Sequence, residues 1–448
     1  MFSDPFGGAP SRGRHGHWAC LLALGLAFVH IGSFAQQALS MDRALQLAQS
    51  RSRQLTAQEA AATASRDMAL AAGQLPDPTL KLGVNNLPIN GEDRFSLTQD
   101  FMTMRSVGVM QEITRSDKLH ARSDRFNREA EAAEASRAVA LANLRRDTAM
   151  AWLDRYYQER MLDLLRTQRT EAGLQIEAAD AAYRGGRGSQ ADVFAARSMV
   201  AQMDDRIRQA EKQIGTAKIK LARWVGDEAN QVLDTPPSLE AVHLDLASLE
   251  GQLAHHPQIA LMAKQEEVAR AEADIAQSNK RPDWTVELMY SQRGPAYSNM
   301  VSINVSVPLQ WDPKNRQDRE LSSKLAVAEQ MRAQREEATR EHAADIRMWW
   351  QEWQSNRERL AQYDSALIPL ATERTQAAIA AYRGGSGPLI AVLEARRMAI
   401  DTHMDRLRLA METAALWAQL EYLIPAEHPT AVETRAPVLP TPTTATEK

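Results

Sequence analysis

The amino-acid sequence predicts a mainly α-helical fold with a small β part, built as two tandem copies of one unit. Each copy consists of a helix, a β-hairpin, a long helix and a return helix. Two observations support this prediction. The motif Tyr-Arg-Gly-Gly occurs at 183–186 and again at 382–385, 199 positions later. A long segment of helical character precedes each motif, and short segments of period-two alternation precede each long segment.

The two glycine-rich turns share one sequence pattern. Both contain a tyrosine, an arginine and three glycines: Tyr183, Arg184, Gly185, Gly186 and Gly188 in the first, and Tyr382, Arg383, Gly384, Gly385 and Gly387 in the second. Paired glycines end helices because they adopt backbone conformations that other residues avoid. Helical sequence lies on both sides of each motif, so each is predicted to be the tip of a helical hairpin.

Residues 1–35 are predicted to be a signal peptide. Arg12 and Arg14 supply a basic region, 21–31 an apolar run, and Ser33-Phe34-Ala35 a cleavage site. A single transmembrane anchor is the alternative, although the apolar run is short for one. The only cysteine, Cys20, lies in this segment. The exported chain would therefore contain neither a disulfide nor a thiolate metal site.

Charge and motifs exclude several function classes. The chain has 53 basic and 57 acidic residues, a net charge of −4, and no long run of one sign. This balance gives no electrostatic reason to expect a nucleic-acid partner. The sequence contains no phosphate-binding loop, no HExxH motif and no nucleophile with an evident base. We therefore expect neither an enzyme nor a cofactor, and a transport role would have to be passive.

The first structural repeat is predicted to span 36–238. Its elements in order are a helix over Ser40–Leu75, a hairpin over about 79–113, a long helix over Lys118–Tyr183, the tip turn 183–188 and a helix over Asp192–Val225. A helix of about 65 residues would be roughly 100 Å long. The tip turn is therefore predicted to lie far from the hairpin.

The second structural repeat is predicted to span 239–424. Its elements in order are a helix over Ser248–Arg281, a hairpin over about 284–309, a long helix over Arg316–Tyr382, the tip turn 382–387 and a helix over Leu389–Leu423. Residues 425–448 are rich in proline and threonine and are predicted to form a disordered tail.

The hairpin strands have one apolar face and one face of small or polar residues. Val286 and Leu288, for example, alternate with Glu287 and Met289. This pattern is typical of barrel strands that face lipid outside and water inside. Four strands cannot close a water-filled barrel, so several chains would have to combine theirs. The alternative is a soluble sheet packed among the helices.

The double repeat resembles the TolC-like outer-membrane efflux proteins over nearly all of the mature chain. Four motifs resemble the heavy-metal branch of that family: Leu75-Pro76-Asp77-Pro78, Asn86-Leu87-Pro88, Asp100-Phe101-Met102-Thr103-Met104-Arg105 and Val107-Gly108-Val109-Met110-Gln111-Glu112. Members of that branch serve three-component pumps that export ions such as copper, silver, cobalt, zinc or cadmium. The resemblance implies a homotrimer with a twelve-stranded β-barrel in the outer-membrane lipid and an α-helical tunnel across the periplasm.

The resemblance also implies partners and a gate. A periplasmic adaptor protein would dock at the two tip turns, and an inner-membrane RND pump would supply the energy. In the best-known member of the family, two acidic residues on the helix just after the second turn close the resting channel. This sequence has Ala391 at the first of these positions and Glu394 at the second, whereas the first copy carries Asp192 at the place of Ala391. Asp192 and Glu394 are therefore the gate candidates. The alternative is that Asp192 caps its helix and Glu394 is merely solvated.

Two other residue groups are weak candidates for metal sites. His255 and His256 are adjacent, and adjacent helical residues do not face each other. Met102, Met104 and Met110 carry thioethers that could bind Cu(I), but apolar filling or contact with lipid is the competing interpretation.

The leading function is thus a passive outer-membrane channel for heavy-metal export. An outer-membrane channel for drug efflux or type I protein secretion is the alternative within the family. A soluble periplasmic coiled-coil scaffold is the alternative from another class.

Overall fold

The computed structural model of the chain describes residues 38–243, 251, 253 and 255–423. The predicted signal peptide and the predicted tail lie outside the described residues. The start of the predicted helix over Ser248–Arg281 also falls largely outside them.

The helices and strands follow one another in the predicted order in both copies. The first copy contains α1 (Met41–Arg51), α2 (Arg53–Ala72), β1 (Thr79–Asn85), β2 (Met104–Ile113), α3 (Ser116–Arg184) and α4 (Gln190–Val225). The second contains α5 (Pro257–Ser278), β3 (Trp284–Gln292), β4 (Met300–Ser306), α6 (Gln317–Gln362), a π-helical turn (Tyr363–Leu367), α7 (Ile368–Arg383) and α8 (Leu389–Glu421). The prediction of a mainly α-helical chain with a small β part is confirmed.

The first predicted helix is interrupted at Ser52. This residue has an extended backbone, and its hydroxyl accepts a hydrogen bond from the N–H of Leu55 at 3.3 Å. The serine therefore acts as the N-cap of α2 and ends α1. The prediction of one continuous helix over Ser40–Leu75 is wrong at this point.

The second long helix contains a π-helical turn between α6 and α7. Pro369 lies in the first turn of α7 and has no N–H to donate to the carbonyl of Ser365. The loss of that bond accounts for the local widening of the helix, a common origin of such bulges. The long helix predicted over Arg316–Tyr382 is therefore present, with a π-helical turn that the sequence pattern did not indicate.

The last strand is shorter than the sequence pattern suggests. Alternation continues through Val307 to Leu309, but β4 ends at Ser306. Pro308 cannot donate a ladder hydrogen bond, which explains why pairing stops before it.

The two hairpins form one four-stranded antiparallel sheet with the order β1-β2-β3-β4. The central pairing joins the two copies, with Val107 opposite Tyr290 and Val109 opposite Leu288. An isolated hairpin is only marginally stable in water, and each copy supplies the other with a partner strand. Within the described residues, the outer edges of β1 and β4 have no strand partner.

The helical core is centred on the middle of α3. Trp152 is fully buried and donates its indole N–H to the carbonyl of Leu39 at 3.0 Å. Arg155 is 2% exposed and donates to the carbonyls of Ala229 (2.6 Å) and Gln231 (2.7 Å). These bonds tie the chain before α1 and the segment after α4 to α3, because a buried guanidinium without partners would be costly.

Candidate functional site

The first tip turn is a Schellman motif that ends α3. Gly186 has φ +72°, a conformation that side chains disfavour. The N–H of Arg187 donates to the carbonyl of Ala182 at 2.9 Å, and the N–H of Gly186 donates to the carbonyl of Tyr183 at 3.0 Å. These two bonds satisfy carbonyls that the helix end would otherwise leave free.

The second tip turn repeats this geometry. Gly385 has φ +74°. The N–H of Ser386 donates to the carbonyl of Ala381 at 2.9 Å, and the N–H of Gly385 donates to that of Tyr382 at 3.1 Å. The equal sequence spacing therefore corresponds to equal backbone conformation.

The last glycine of each turn allows the chain to pass close to the helix it has left. A Cβ added at Gly188 would lie 3.1 Å from the Cβ of Ala182, and one added at Gly387 would lie 3.1 Å from that of Ala381. Glycine at these two positions avoids a tight contact that a larger residue could relieve only by a small shift of its neighbour.

The two helical hairpins pack against each other just behind their tips. A small apolar cluster joins them, formed by Ala179, Val193, Ala196, Leu389, Val392 and Leu393. Both turns therefore lie side by side at one end of the described chain, where Arg184, Gly185, Arg383 and Gly384 are exposed.

Asp192 takes part in the cap of α4. The Ser189 hydroxyl accepts from the N–H of Asp192 at 3.2 Å, while the Asp192 carboxylate accepts from the N–H of Ser189 (2.9 Å) and from its hydroxyl (2.7 Å). This is a capping box, with Ser189 as the N-cap and Asp192 as the third helical residue. The carboxylate is already used in stabilising the helix start.

Glu394 is differently placed in the second copy. It is exposed on α8, and within the described chain its carboxylate forms no hydrogen bond or ion pair. The N-cap of α8 is Pro388, which offers no side-chain acceptor. The two gate candidates therefore differ in environment as well as in position, and only Glu394 has an unengaged carboxylate.

Ion pairs connect the helices behind the tips. Arg396 of α8 lies 2.7 Å from Glu171 of α3, and Arg206 of α4 lies 2.8 Å from Asp401 of α8. Sequence reasoning missed these pairs because their partners are separated by 225 and 195 positions. No local spacing rule identifies contacts of that range.

One face of the sheet is apolar and exposed on all four strands. Its side chains are Leu80, Leu82, Val84, Val107, Val109, Trp284, Val286, Leu288, Tyr290, Val301, Ile303 and Val305. A contiguous exposed apolar surface of this kind normally marks an interface with another protein or with lipid.

The opposite face is mainly polar, and on the central strands β2 and β3 it is less exposed. The Lys81 ammonium lies 2.7 Å from the Glu287 carboxylate, so this pair crosses from β1 to β3 over β2. Gly108 lies between these strands, where an added Cβ would be 2.8 Å from the carbonyl oxygen of Leu288. The period-two alternation correctly predicted which side chains share a face of the sheet. It did not predict the ion pair between Lys81 and Glu287, whose partners lie on different strands.

The adjacent histidines do not form a pair. His256 is 7% exposed and its ring lies 4.5 Å, between centroids, from that of His342 on α6, whereas His255 is exposed. Burial, together with the neighbouring His342, lowers the pKa of His256 to about 4.

None of the helices in the described ranges is both long and apolar enough to cross a bilayer.

Comparison with known proteins gives structural matches only. No family model matches the chain, and no curated protein matches it. The outer membrane protein VceC of Vibrio cholerae is 19% identical with a TM-score of 0.71, over 86% of this chain and 95% of that chain. The CmeC outer membrane channel of Campylobacter jejuni is 12% identical with a TM-score of 0.72, over 86% and 85%.

The MtrE outer membrane channel of Neisseria gonorrhoeae, in its open state, is 14% identical with a TM-score of 0.68, over 86% of this chain and 88% of that chain. The matched region includes both repeats in each case, because it covers most of the described residues. The chain has the fold of these outer-membrane channel proteins.

Proposed function

We propose that the protein is a passive channel in the outer membrane, the exit component of a tripartite RND-type efflux system that exports heavy-metal cations. The observation that carries the proposal is the sheet. Its exposed apolar face suits lipid, its other face suits water, and neither of its edges has a strand partner within the described residues. The fold likeness to outer-membrane channels supports the same role.

Three copies of the chain would close the barrel, with β4 of one copy pairing with β1 of the next. The internal repeat predicts the register of that pairing. Thr79 pairs with Met110, and Thr285 pairs with Ser306. Pro76-Asp77 and Pro282-Asp283 precede β1 and β3 at an offset of 206 (282 − 76), which makes Thr79 equivalent to Thr285. Their partners Met110 and Ser306 are then equivalent at an offset of 196 (306 − 110).

The observed contact between β2 and β3 can be carried over to the free edges with these offsets. Ser106 lies opposite Ser291. The equivalent positions are Ser302 (106 + 196) and Asn85 (291 − 206). Ser302 of one copy should therefore face Asn85 of the partner subunit in the closed barrel.

Disulfide cross-linking tests this closure directly, since Cys20 is the only cysteine of the chain and lies in the predicted signal peptide. In membranes, a Ser302→Cys/Asn85→Cys protein should form covalent trimers that a reducing agent dissolves. The matched control is Ser302→Cys/Lys81→Cys, in which the second cysteine is displaced by four residues, about 13 Å along the strand. Equal cross-linking of both proteins, or of neither, would contradict the proposed register.

The tip turns would form the periplasmic mouth where the adaptor docks, with Glu394 beside it as the gate candidate. Their position at one end of the helices, away from the sheet, supports this assignment. The segment 75–122, with its resemblance to the heavy-metal branch, supports metal cations as the cargo.

Growth of a deletion strain separates the candidate functions. A metal-export channel predicts sensitivity to copper, silver, cobalt, zinc or cadmium salts without sensitivity to dyes and antibiotics, and the reverse pattern would favour drug efflux. Recovery of the protein in the soluble periplasmic fraction would instead support the scaffold alternative.

A further inference from the structure

Three methionines form a diagonal row across the polar face of the sheet. Met110 of β2 lies opposite Glu287, two residues from Met289 on β3. Met289 in turn lies opposite Ser302, two residues from Met300 on β4. We call Met110, Met289 and Met300 the thioether row. Each member is the diagonal neighbour of the next: it lies on the adjacent strand, displaced by two residues along the strand direction.

This spacing lets the side chains of the row meet in pairs. Diagonal neighbours on one face of an antiparallel sheet lie about 7–8 Å apart, within reach of long side chains. The residues directly opposite Met289 are Gly108 and Ser302, which are too small to separate it from the other two. The β2 and β3 backbones approach so closely here that a Cβ at position 108 would lie 3.2 Å from the Met289 Cβ.

The thioether row lies on the polar face of the sheet, so contact with lipid does not explain its apolar side chains. Contact with lipid would require the other face, where Leu82, Val109 and Leu288 lie. On their own face, the methionines share the surface with Lys81, Glu287 and serines. Apolar filling does not account for them either, since Met300 is exposed and Met110 and Met289 remain partly accessible.

The same surface is poorly suited to a hard cation. The carboxylate opposite Met110 is Glu287, which the Lys81 ammonium already neutralises at 2.7 Å. Hard cations such as Ca²⁺ and Mg²⁺ require several free oxygen ligands. Thioethers are soft, uncharged at every pH and selective for soft ions such as Cu(I).

We propose that the thioether row binds soft monovalent metal ions, Cu(I) or Ag(I), on the water-facing side of the barrel. The inference rests on the proposed channel function, which makes this face the wall of the lumen. Met110 with Met289, and Met289 with Met300, provide two overlapping pairs of sulfur ligands. An ion can therefore pass from one pair to the next through the shared Met289, and weak sites in series favour conduction over trapping.

Silver binding to the purified protein tests this proposal without any transport assay. Equilibrium dialysis of the full chain in detergent against silver nitrate, in chloride-free buffer, gives the affinity and the number of bound ions. Met110→Leu/Met289→Leu/Met300→Leu should raise the Kd of the tightest Ag(I) class by about tenfold or more. Leucine conserves volume and is generally tolerated in place of methionine.

The matched control replaces three exposed methionines outside the row, as Met68→Leu/Met102→Leu/Met398→Leu. This protein should bind silver as the wild type does. Equal affinity in the row variant and the wild type, or equal losses in both variants, would overturn the proposal. If circular dichroism shows that the triple row variant is unfolded, the single Met289→Leu variant decides, because it removes the sulfur shared by both pairs.

The outcome is separable from that of the proposed function. Trimeric cross-linking through positions 302 and 85, with silver binding unaffected by the row substitutions, would refute the metal site alone. Loss of silver binding in the row variant of a protein that does not cross-link would leave the site and contradict the proposed closure of the barrel through β4 and β1.

Discussion

The ammonium of Lys118 lies 2.6 Å from a carboxylate oxygen of Asp283, and both side chains are largely buried. The same carboxylate accepts a hydrogen bond from the N–H of Arg115 at 3.2 Å. Lys118 lies in the first turn of α3, the long helix of the first copy, whereas Asp283 directly precedes β3, the first strand of the second copy. This contact therefore fastens the two copies together where the sheet meets the helices.

Replacing Asp283 by Asn should destabilise the fold markedly. The change leaves the Lys118 ammonium buried without its counter-charge, a situation that typically costs about 3 kcal/mol or more. Urea unfolding in detergent, followed by helical circular dichroism, measures the effect. The control is Asp117→Asn, which removes a neighbouring but exposed carboxylate and should leave stability close to that of the wild type. Similar midpoints for both variants would show that the buried pair is not important.

Replacing Gly186 by Ala should loosen the first tip turn. No atom lies within 4 Å of the added Cβ, so the only cost is the positive φ, which is about 1–2 kcal/mol for a residue with a side chain. Hydrogen exchange of the amide of Arg187, which closes the Schellman motif, should become faster.

Gly173→Ala is the control for this tip substitution, because Gly173 lies inside α3 with free space around it and a negative φ. That change should stabilise the helix by about 0.5–1 kcal/mol. Unchanged exchange at the tip in the Gly186→Ala protein would mean that the turn does not need the left-handed conformation.

Acidification should destabilise the helical region through His256. Its pKa of about 4 in the folded chain lies below its ordinary value of 6.5, so the unfolded chain takes up the proton first as pH falls. The contribution to stability is present above pH 6.5 and is lost between pH 6.5 and 4, by about 3 kcal/mol in total. A His256→Asn variant should lack this part of the pH dependence.

The exposed neighbour provides the control for the pH experiment. His255→Asn should retain the wild-type dependence of the free energy of unfolding on pH between 4 and 6.5. If His256→Asn and the wild type lose stability in parallel over that interval, burial of His256 does not govern it.

Glu394→Ala should increase the conductance of the channel to small ions in bilayer recordings. The resemblance implies that Glu394 lies at the constriction of the resting channel, and the shorter, uncharged alanine would remove three side chains and their bound counter-ions from that mouth. Asp192→Asn should leave conductance unchanged, because asparagine keeps an acceptor for the helix cap. A larger effect from Asp192→Asn than from Glu394→Ala would reverse the assignment of the gate.

Local patterns in the sequence were sufficient to predict the elements of the fold. The YRGG motifs located both tip turns, and period-two alternation located strands such as β3 and assigned the faces of its side chains. The sequence reveals these features because glycine conformation and strand periodicity depend on only a few consecutive residues. The pattern of apolar residues missed the cap at Ser52 and the π-helical turn before Pro369. At each place a single residue altered a helix whose apolar pattern continues without a break.

The candidate sites depended on contacts that no local pattern describes. The sequence by itself determined the two copies, their long helices and the two-faced strands. The cap formed by Asp192 is also local, and the sequence already offered it as an alternative to the gate. Only the tertiary structure decided that Lys118 meets Asp283 and that Met110, Met289 and Met300 are diagonal neighbours. The physical reason is that both contacts join side chains from distant parts of the chain: the pairing of β2 with β3 and of β3 with β4 sets the methionine row, and the docking of the start of α3 against the start of β3 sets the ion pair.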